Sequence, residues 1–195
     1  MRKIVGVVLA GAAVSAVLST PAMAGTSGND PMCSPGRTKL TWSSKAKPWT
    51  ITHRRTLQNY TGLTGKKTFS VEKITEVKAS VKATMGGKVS GKLVLASLEG
   101  SFGLELAAEG KVTNKRSESV TYNLTKRRAT YVFFSGTRKV SGYYTQYRCD
   151  RGTKWVKTGR YGKAQSWTSP TEGGLRCDIK VPSGSLAAVA KKNYC

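Results

Sequence analysis

Four cysteines are the residues whose chemistry this sequence defines most clearly: Cys33, Cys149, Cys177 and Cys195. Metal binding by cysteine needs close pairs such as Cys-x-x-Cys, or several histidines, but these four are widely spaced and the chain has one histidine. An even number of cysteines in an exported chain predicts two disulfides. Three pairings are possible, and we favour Cys149–Cys177, which closes a local Gly/Trp-rich loop, together with Cys33–Cys195. We therefore expect neither a metal site nor a reactive thiol.

His53 is the only histidine in the sequence, so it is the only imidazole that could serve as a general acid or base. The two arginines that follow it disfavour its protonated form, so we interpret His53 as part of a solvated basic face. The chain contains no His-Glu-x-x-His, Gly-x-Ser-x-Gly or Walker-type motif. Glu99, Glu105 and Glu109 lie in an alternating segment near lysines, which indicates a solvated charge ladder rather than a glycosidase pair. We predict no catalytic residue and no cofactor, and hence a protein that is not an enzyme.

The N-terminus has the pattern of a secretory signal peptide. A short basic start is followed by an apolar run over residues 4–17 and then by a small-residue cleavage motif that ends at Ala24. The apolar run is too short for a comfortable transmembrane helix. We predict a signal peptide over residues 1–24, a flexible segment over 25–38 and one disulfide-bonded β domain over 39–195. The mature protein is then secreted and extracellular.

The charge of the chain is strongly positive. Lysine and arginine number 33 against ten acidic residues, for a net charge of +23. The predicted signal peptide contains two of the basic residues and none of the acidic ones, so the mature chain keeps +21. Such a field attracts polyanions and accelerates association with acidic partners. We expect polyanion binding by electrostatics, without specific recognition of nucleic acid, and a secreted protein partner in a hetero-complex.

The middle of the chain has an apolar residue at every second position, which is the period of a strand with two different faces. The alternation covers residues 77–85, breaks at a Gly-Gly turn and resumes over 94–108. A helix is the competing interpretation, but Gly100 and Gly103 would each cost about 1 kcal/mol inside one. We predict an amphipathic hairpin that projects from the domain at about residues 71–113. Its apolar face consists of Val77, Val81, Val94, Leu98, Phe102, Leu104 and Leu106.

Two further segments complete the predicted fold. Residues 131–134 are all apolar or aromatic, which predicts a central strand that is buried on both faces. A serine cap precedes a short helix over residues 186–192, which ends with two lysines. The predicted fold class is mainly β: an elongated antiparallel sheet or sandwich with a long amphipathic hairpin and a short C-terminal helix.

The alternating segment resembles the insertion hairpin of aerolysin-type β-pore-forming toxins. The resemblance rests on the Gly/Ser/Ala-rich sequence ASVKATMGGKVSGKLVLASLEGSFGLELAAEGKVT, residues 79–113, about a fifth of the chain. The stretch is richer in leucine than such hairpins usually are. The resemblance implies a protein that inserts this hairpin into a membrane, and contact with a membrane is expected under this alternative alone.

A second resemblance rests on the signal peptide, the early Cys33, the Tyr-Arg-Cys sequence at residues 147–149 and the terminal Cys195. These features are similar to those of small secreted actinobacterial proteins, among them the adaptor subunit of umbrella toxin particles. That resemblance implies a small secreted chain that bridges other subunits, and it assigns no functional residue. Our leading hypothesis is a secreted, non-enzymatic, protein-binding component of an extracellular antibacterial toxin complex. The alternative is a small aerolysin-like pore-forming toxin.

Overall fold

The structure is a computed structural model that describes residues 33–60, 64–113 and 118–195. The predicted signal peptide, 1–24, lies outside the described residues, as does the part of the flexible segment that precedes Cys33. Within the described residues the chain forms eight strands and two helices: β1 (Thr38–Ala46), β2 (Trp49–Gln58), β3 (Gly65–Lys73), β4 (Ser80–Met85), α1 (Gly91–Phe102), β5 (Glu118–Leu124), β6 (Thr130–Asp150), β7 (Lys154–Trp167), β8 (Thr171–Arg176) and α2 (Leu186–Tyr194).

The 21-residue strand β6 organises the sheet. Its first part pairs with β2 on one edge and β8 on the other, and its second part pairs with β1 and β7. We call β8–β6–β2–β3–β5 the first half of the sheet and β1–β6–β7–β4 the second half. All pairings are antiparallel, strands hold 53% of the residues and helices 14%. These proportions confirm the mainly β prediction.

The first half of the sheet is covered on both faces. Val132 and Phe134 of β6 pack toward α2, whereas Tyr131 and Phe133 point the other way, into a cluster with side chains of β3 and β5. All four side chains are at most 5% exposed. The prediction of a central, doubly buried strand over 131–134 is confirmed, because β6 has strands at both edges and packed elements on both faces.

The predicted C-terminal helix is confirmed as α2. The Ser185 hydroxyl accepts a hydrogen bond from the Ala188 amide, which satisfies one of the free donors at the helix start. Leu186 and Ala190 lie one turn apart on the buried face and contact the cluster around Val132. The helix therefore covers the first half of the sheet.

The second arm of the predicted hairpin is wrong, since residues 91–102 form helix α1. Val94, Leu95 and Leu98 are buried, and Phe102 is half-buried, so the apolar residues follow a helical stripe that packs on the second half of the sheet. Gly103 is not inside the helix, because it ends the helix in the left-handed conformation that glycine tolerates. One interior glycine remains, and burial of the stripe outweighs its cost of about 1 kcal/mol.

The first arm of the predicted hairpin does form a strand, but not a projecting one. This strand, β4, pairs with β7 at the edge of the second half, and Val81 contacts the α1 cluster. Val77 is buried, and Leu104 and Leu106 pack against the α1 cluster after the helix ends. All seven residues of the predicted apolar face thus belong to the folded domain. The described residues thus contain no projecting hairpin of the kind that suggested the pore-forming hypothesis.

Two disulfides are present, as predicted, but the pairing that we favoured is wrong. The bonds are Cys33–Cys149 and Cys177–Cys195. Antiparallel pairing places the start of β1 beside the end of β6, with Thr38 opposite Arg148, so Cys33 reaches Cys149. Cys177 follows β8, and α2 packs close to β8, which brings the last residue of the chain to Cys177. Two disulfides fit an oxidising compartment.

Candidate binding face and adjacent cavity

The second half of the sheet has one covered and one open side. Val140 and Tyr144 of β6 point toward α1, where both are buried. The side chains that alternate with them point to the opposite side, and no helix or strand of the described chain packs there. Tyr143 is 49% exposed as a result. We call this side of β1, β6, β7 and β4 the open face.

The open face combines tyrosines with lysines. Cross-strand register places Tyr143 between Ser43 of β1 and Lys163 of β7, and Lys163 lies next to Lys82 of β4. Neutral hydrogen-bonding side chains fill most of the remaining positions. The tyrosines are Tyr143, Tyr147 and Tyr161, the lysines are Lys39, Lys82, Lys139, Lys157 and Lys163, and the neutral polar residues include Thr41, Ser43, Ser141, Thr145 and Gln165. Within these four strands the open face has no acidic residue.

Among the described residues, the lysines of the open face have no carboxylate partner, whereas several acids elsewhere are paired. Glu72 accepts a hydrogen bond from Arg55 at 2.9 Å, and Asp178 lies between Lys126 and Arg176. The hydrogen bonds from that lysine and that arginine lower the pKa of Asp178 to about 2. Glu72 and Asp178 thus have their basic partners away from the open face.

Two lysines of the open face lie directly opposite each other, Lys82 on β4 and Lys163 on β7. Like charges at such positions destabilise a sheet, and this pair has no acid beside it to offset the repulsion. The Lys163 ammonium lies 5.6 Å from the centre of the Tyr143 ring, a distance at which the ring attracts the cation. This arrangement favours an anionic group that binds between the two ammonium groups.

Family models, curated proteins and solved structures all gave no match to this chain.

A cavity of about 230 Å³ lies where the open face meets the first half of the sheet. Thr113 and three residues of the β2–β6 pairing form its buried part, and Trp167 at the end of β7 forms a wall. Its lining residues are Thr52, His53, Val112, Thr113, Ser135, Trp167 and Pro170. His53 is 2% exposed, so the expectation that it belongs to a solvated basic face is wrong. The ring is buried because β2 aligns it with Ser135 on the side that β3 and β5 cover.

The predicted site residues do not form this candidate site. Six of the seven hairpin residues lie in the core around α1 or pack against it, Val77 is buried beside Thr113, and the cysteines are all in disulfides. Among the described residues we find no group of three or more side chains suited to hold a metal ion. No helix in the described part of the chain has both the length and the apolar character to cross a membrane.

Sequence reasoning missed the open face, although part of its signal was present. In the second part of β6, tyrosines occur at positions of the same parity, 143 and 147. The strand period alone does not say which side a helix will cover. The open side became identifiable once α1 was placed against Val140 and Tyr144.

Proposed function

We propose that this protein is a secreted, non-enzymatic binding protein whose open face docks on an acidic surface of a protein partner. The observation that carries the proposal is the Lys82–Lys163 juxtaposition, on a tyrosine-bearing face without acids. An anionic group of a partner would offset the repulsion between these lysines. Tyrosine supplies contact area and a hydrogen-bonding tip, which is why it is enriched at protein interfaces.

The chemistry of the open face favours an acidic protein over nucleic acid. Arginine, whose planar guanidinium pairs with phosphate through two hydrogen bonds, is absent from this side of the four strands. Single-stranded nucleic acid also needs uncovered aromatic faces on which bases stack. The Lys163 ammonium lies over one face of the Tyr143 ring, which reduces its use as a stacking platform.

In this proposal the partner is a different protein, so the two chains form a hetero-complex. The protein has the role of an adaptor in an extracellular antibacterial toxin complex. A second copy of the chain does not complement the open face, since lysines would meet lysines. Export through the predicted signal peptide accounts for the two disulfides, which persist outside the reducing cytoplasm. The wide basic surface raises the rate at which an acidic partner is found.

A matched pair of double variants tests the open face. Tyr143→Ala/Lys163→Ala removes one tyrosine and one lysine from it, and Tyr60→Ala/Lys66→Ala removes the same chemistry elsewhere. Tyr60 is 74% exposed and Lys66 is also exposed, so the control is a surface change. We expect the first variant to bind fluorescent poly-L-glutamate roughly tenfold more weakly, which corresponds to about 1.4 kcal/mol from an ion pair and an aromatic contact together.

Fluorescence anisotropy at several salt concentrations gives the required affinities, and heparin serves as a polyanion without a peptide backbone. We expect the control variant to bind poly-L-glutamate within twofold of the wild type. Equal weakening of both variants would show that total charge, rather than the open face, drives binding. A loss for heparin as large as that for poly-L-glutamate would favour a general polyanion site instead of a protein-binding one.

A further inference from the structure

A pocket lies on the side of the second half that α1 covers, past the helix itself. Val140 and Tyr144 of β6 belong to the α1 cluster, but the next two residues of the same parity, Gln146 and Arg148, do not. They line a pocket of about 430 Å³, together with residues of β1 and β7. We call it the Arg148 pocket. Gln146 and Arg148 alternate with Tyr147 of the open face, so they point to the opposite side of the sheet.

The charged residues that line the Arg148 pocket are all basic. Arg148, Lys157 and Arg160 line it, and no acidic residue does so among the described residues. Asp150 is the only acid of β6, and it is not part of the lining. The Arg148 guanidinium is exposed and has no hydrogen bond or ion pair within the described chain. An anion that enters the pocket therefore meets a cation that no carboxylate neutralises.

Arg160 is held in place by the turn that follows β4. Its Nε donates a hydrogen bond to the Gly86 carbonyl at 2.9 Å. This turn packs so closely on β7 that a Cβ at Gly86 would lie 2.5 Å from the Gly159 carbonyl oxygen. The bond orients the guanidinium and leaves its two terminal NH₂ groups without a partner in the described part of the chain. Such a planar group pairs with an oxyanion through two parallel hydrogen bonds.

The remaining polar groups of the pocket also offer donors. A bulge places residues 158–160 of β7 opposite Gln146 alone. Thr158 Oγ1 donates to the Gln146 carbonyl at 3.1 Å and to its amide oxygen at 3.3 Å, so the amide NH₂ is left as a donor. Thr38 lies opposite Arg148 on β1 and adds a hydroxyl. Guanidinium, amide and hydroxyl donors from three strands thus surround one space, which suits an anion with several oxygens.

We propose that the Arg148 pocket binds a phosphate group that is esterified to a polyol or a sugar. Its volume lies within the 300–1,000 Å³ typical of small-molecule sites, which leaves room for more than a free phosphate ion. Val156 lines the pocket and offers an apolar contact to the carbon skeleton of the ester. No aromatic residue is part of the lining, so a nucleobase would have no ring on which to stack. This inference goes beyond the proposed function, because the pocket and the open face lie on opposite sides of the sheet.

Glycerol 3-phosphate is the probe for this pocket, with inorganic phosphate and acetate as comparators. Isothermal titration calorimetry in about 150 mM sodium chloride gives the affinities under physiological screening. We expect glycerol 3-phosphate to bind severalfold more tightly than inorganic phosphate, and acetate to bind most weakly. Amide signals of residues 146–148 and 156–160 should shift in an NMR titration, which locates the site.

Arg148→Ala and Arg127→Ala form a matched pair of variants. Both arginines are exposed, and Arg127 lies in the connection between β5 and β6, away from the pocket. We expect Arg148→Ala to weaken glycerol 3-phosphate binding about tenfold, the change that loss of one charge-assisted hydrogen bond produces. Arg127→Ala should bind within twofold of the wild type. Arg148 has no side-chain partner to lose, so the fold and the thermal midpoint should be unchanged.

Equal weakening by the two substitutions would overturn the proposal, because total charge would then account for binding. So would equal affinities for glycerol 3-phosphate and inorganic phosphate, binding of acetate as tight as that of the ester, or amide shifts confined to other parts of the chain. The poly-L-glutamate experiment compares variants on the other side of the sheet, so the two proposals fail independently.

Discussion

Replacement of Leu95 by alanine tests the most consequential feature of the fold, the helix α1. Leu95 is 5% exposed and packs with Val94, Leu98, Tyr144 and other side chains on the second half of the sheet. Truncation of a buried leucine removes its transfer free energy and leaves a cavity, which costs about 2.7–5 kcal/mol in closely packed cores. Since neighbours on α1 and the sheet are themselves fully buried, we expect Leu95→Ala to lower the free energy of unfolding by about 3 kcal/mol.

Leu93→Ala is the matched control on the same helix. Leu93 is 65% exposed, so the same chemical change should cost less than about 0.5 kcal/mol. Together, Leu93→Ala and Leu95→Ala discriminate between a helix and a hairpin, because residues two apart lie on the same face of a strand but on different faces of a helix. A hairpin therefore predicts similar costs for Leu93 and Leu95, whereas α1 predicts that they differ severalfold.

Urea unfolding followed by tryptophan fluorescence supplies both values. Trp42 is a suitable probe, since its indole donates to Ser97 Oγ of α1 at 3.0 Å and its ring meets that of Tyr144 edge-on. Equal destabilisation by the two substitutions would refute the helical packing of this segment. It would also return the alternating hairpin to consideration.

Peptide mapping without reduction should recover Cys33–Cys149 and Cys177–Cys195, and any other pairing contradicts the topology. Double serine variants should then cost about 3 kcal/mol for the bond of sequence separation 18 and more, about 4–5 kcal/mol, for the bond of separation 116, because the longer loop restricts the unfolded chain further. Asp178 should stabilise the fold above its usual pKa of 3.8 and lose that effect as the pH falls through its folded value of about 2. Asp178→Asn should therefore flatten the acid unfolding curve in that window, and an unchanged curve would contradict the assigned hydrogen bonds.

Local pattern was enough to predict some elements of this fold. The apolar run over 131–134 identified a doubly buried strand, and a serine cap with terminal lysines identified α2, because both signals lie within a few residues of the element. The segment over 91–102 was harder, since its leucines satisfy both periods. Tertiary packing against β6 and β7 decided it, and one glycine turned out to be a helix terminus rather than an interior residue.

The disulfide pairing and the binding face depend on contacts that sequence spacing does not contain. Cys33 and Cys149 are 116 residues apart and meet because β1 pairs with the end of β6. Lys82 and Lys163 become neighbours through the β4–β7 register, which no local pattern of either strand reveals. Sequence analysis therefore identified the cysteines and the positive charge, but not the open face, on which lysines lie beside tyrosines.

The two halves of the sheet differ in one respect that bears on binding. The helices α1 and α2 cover the same side of β6, since Val132, Phe134, Val140 and Tyr144 all have even positions along it. On the other side, β3 and β5 cover the first half, Thr137 is still buried beside Thr168, and the second half is open around Tyr143. A partner at the open face would cover the second half as β3 and β5 cover the first. The cavity lies at this boundary, where the covering elements of the chain end and a partner would begin.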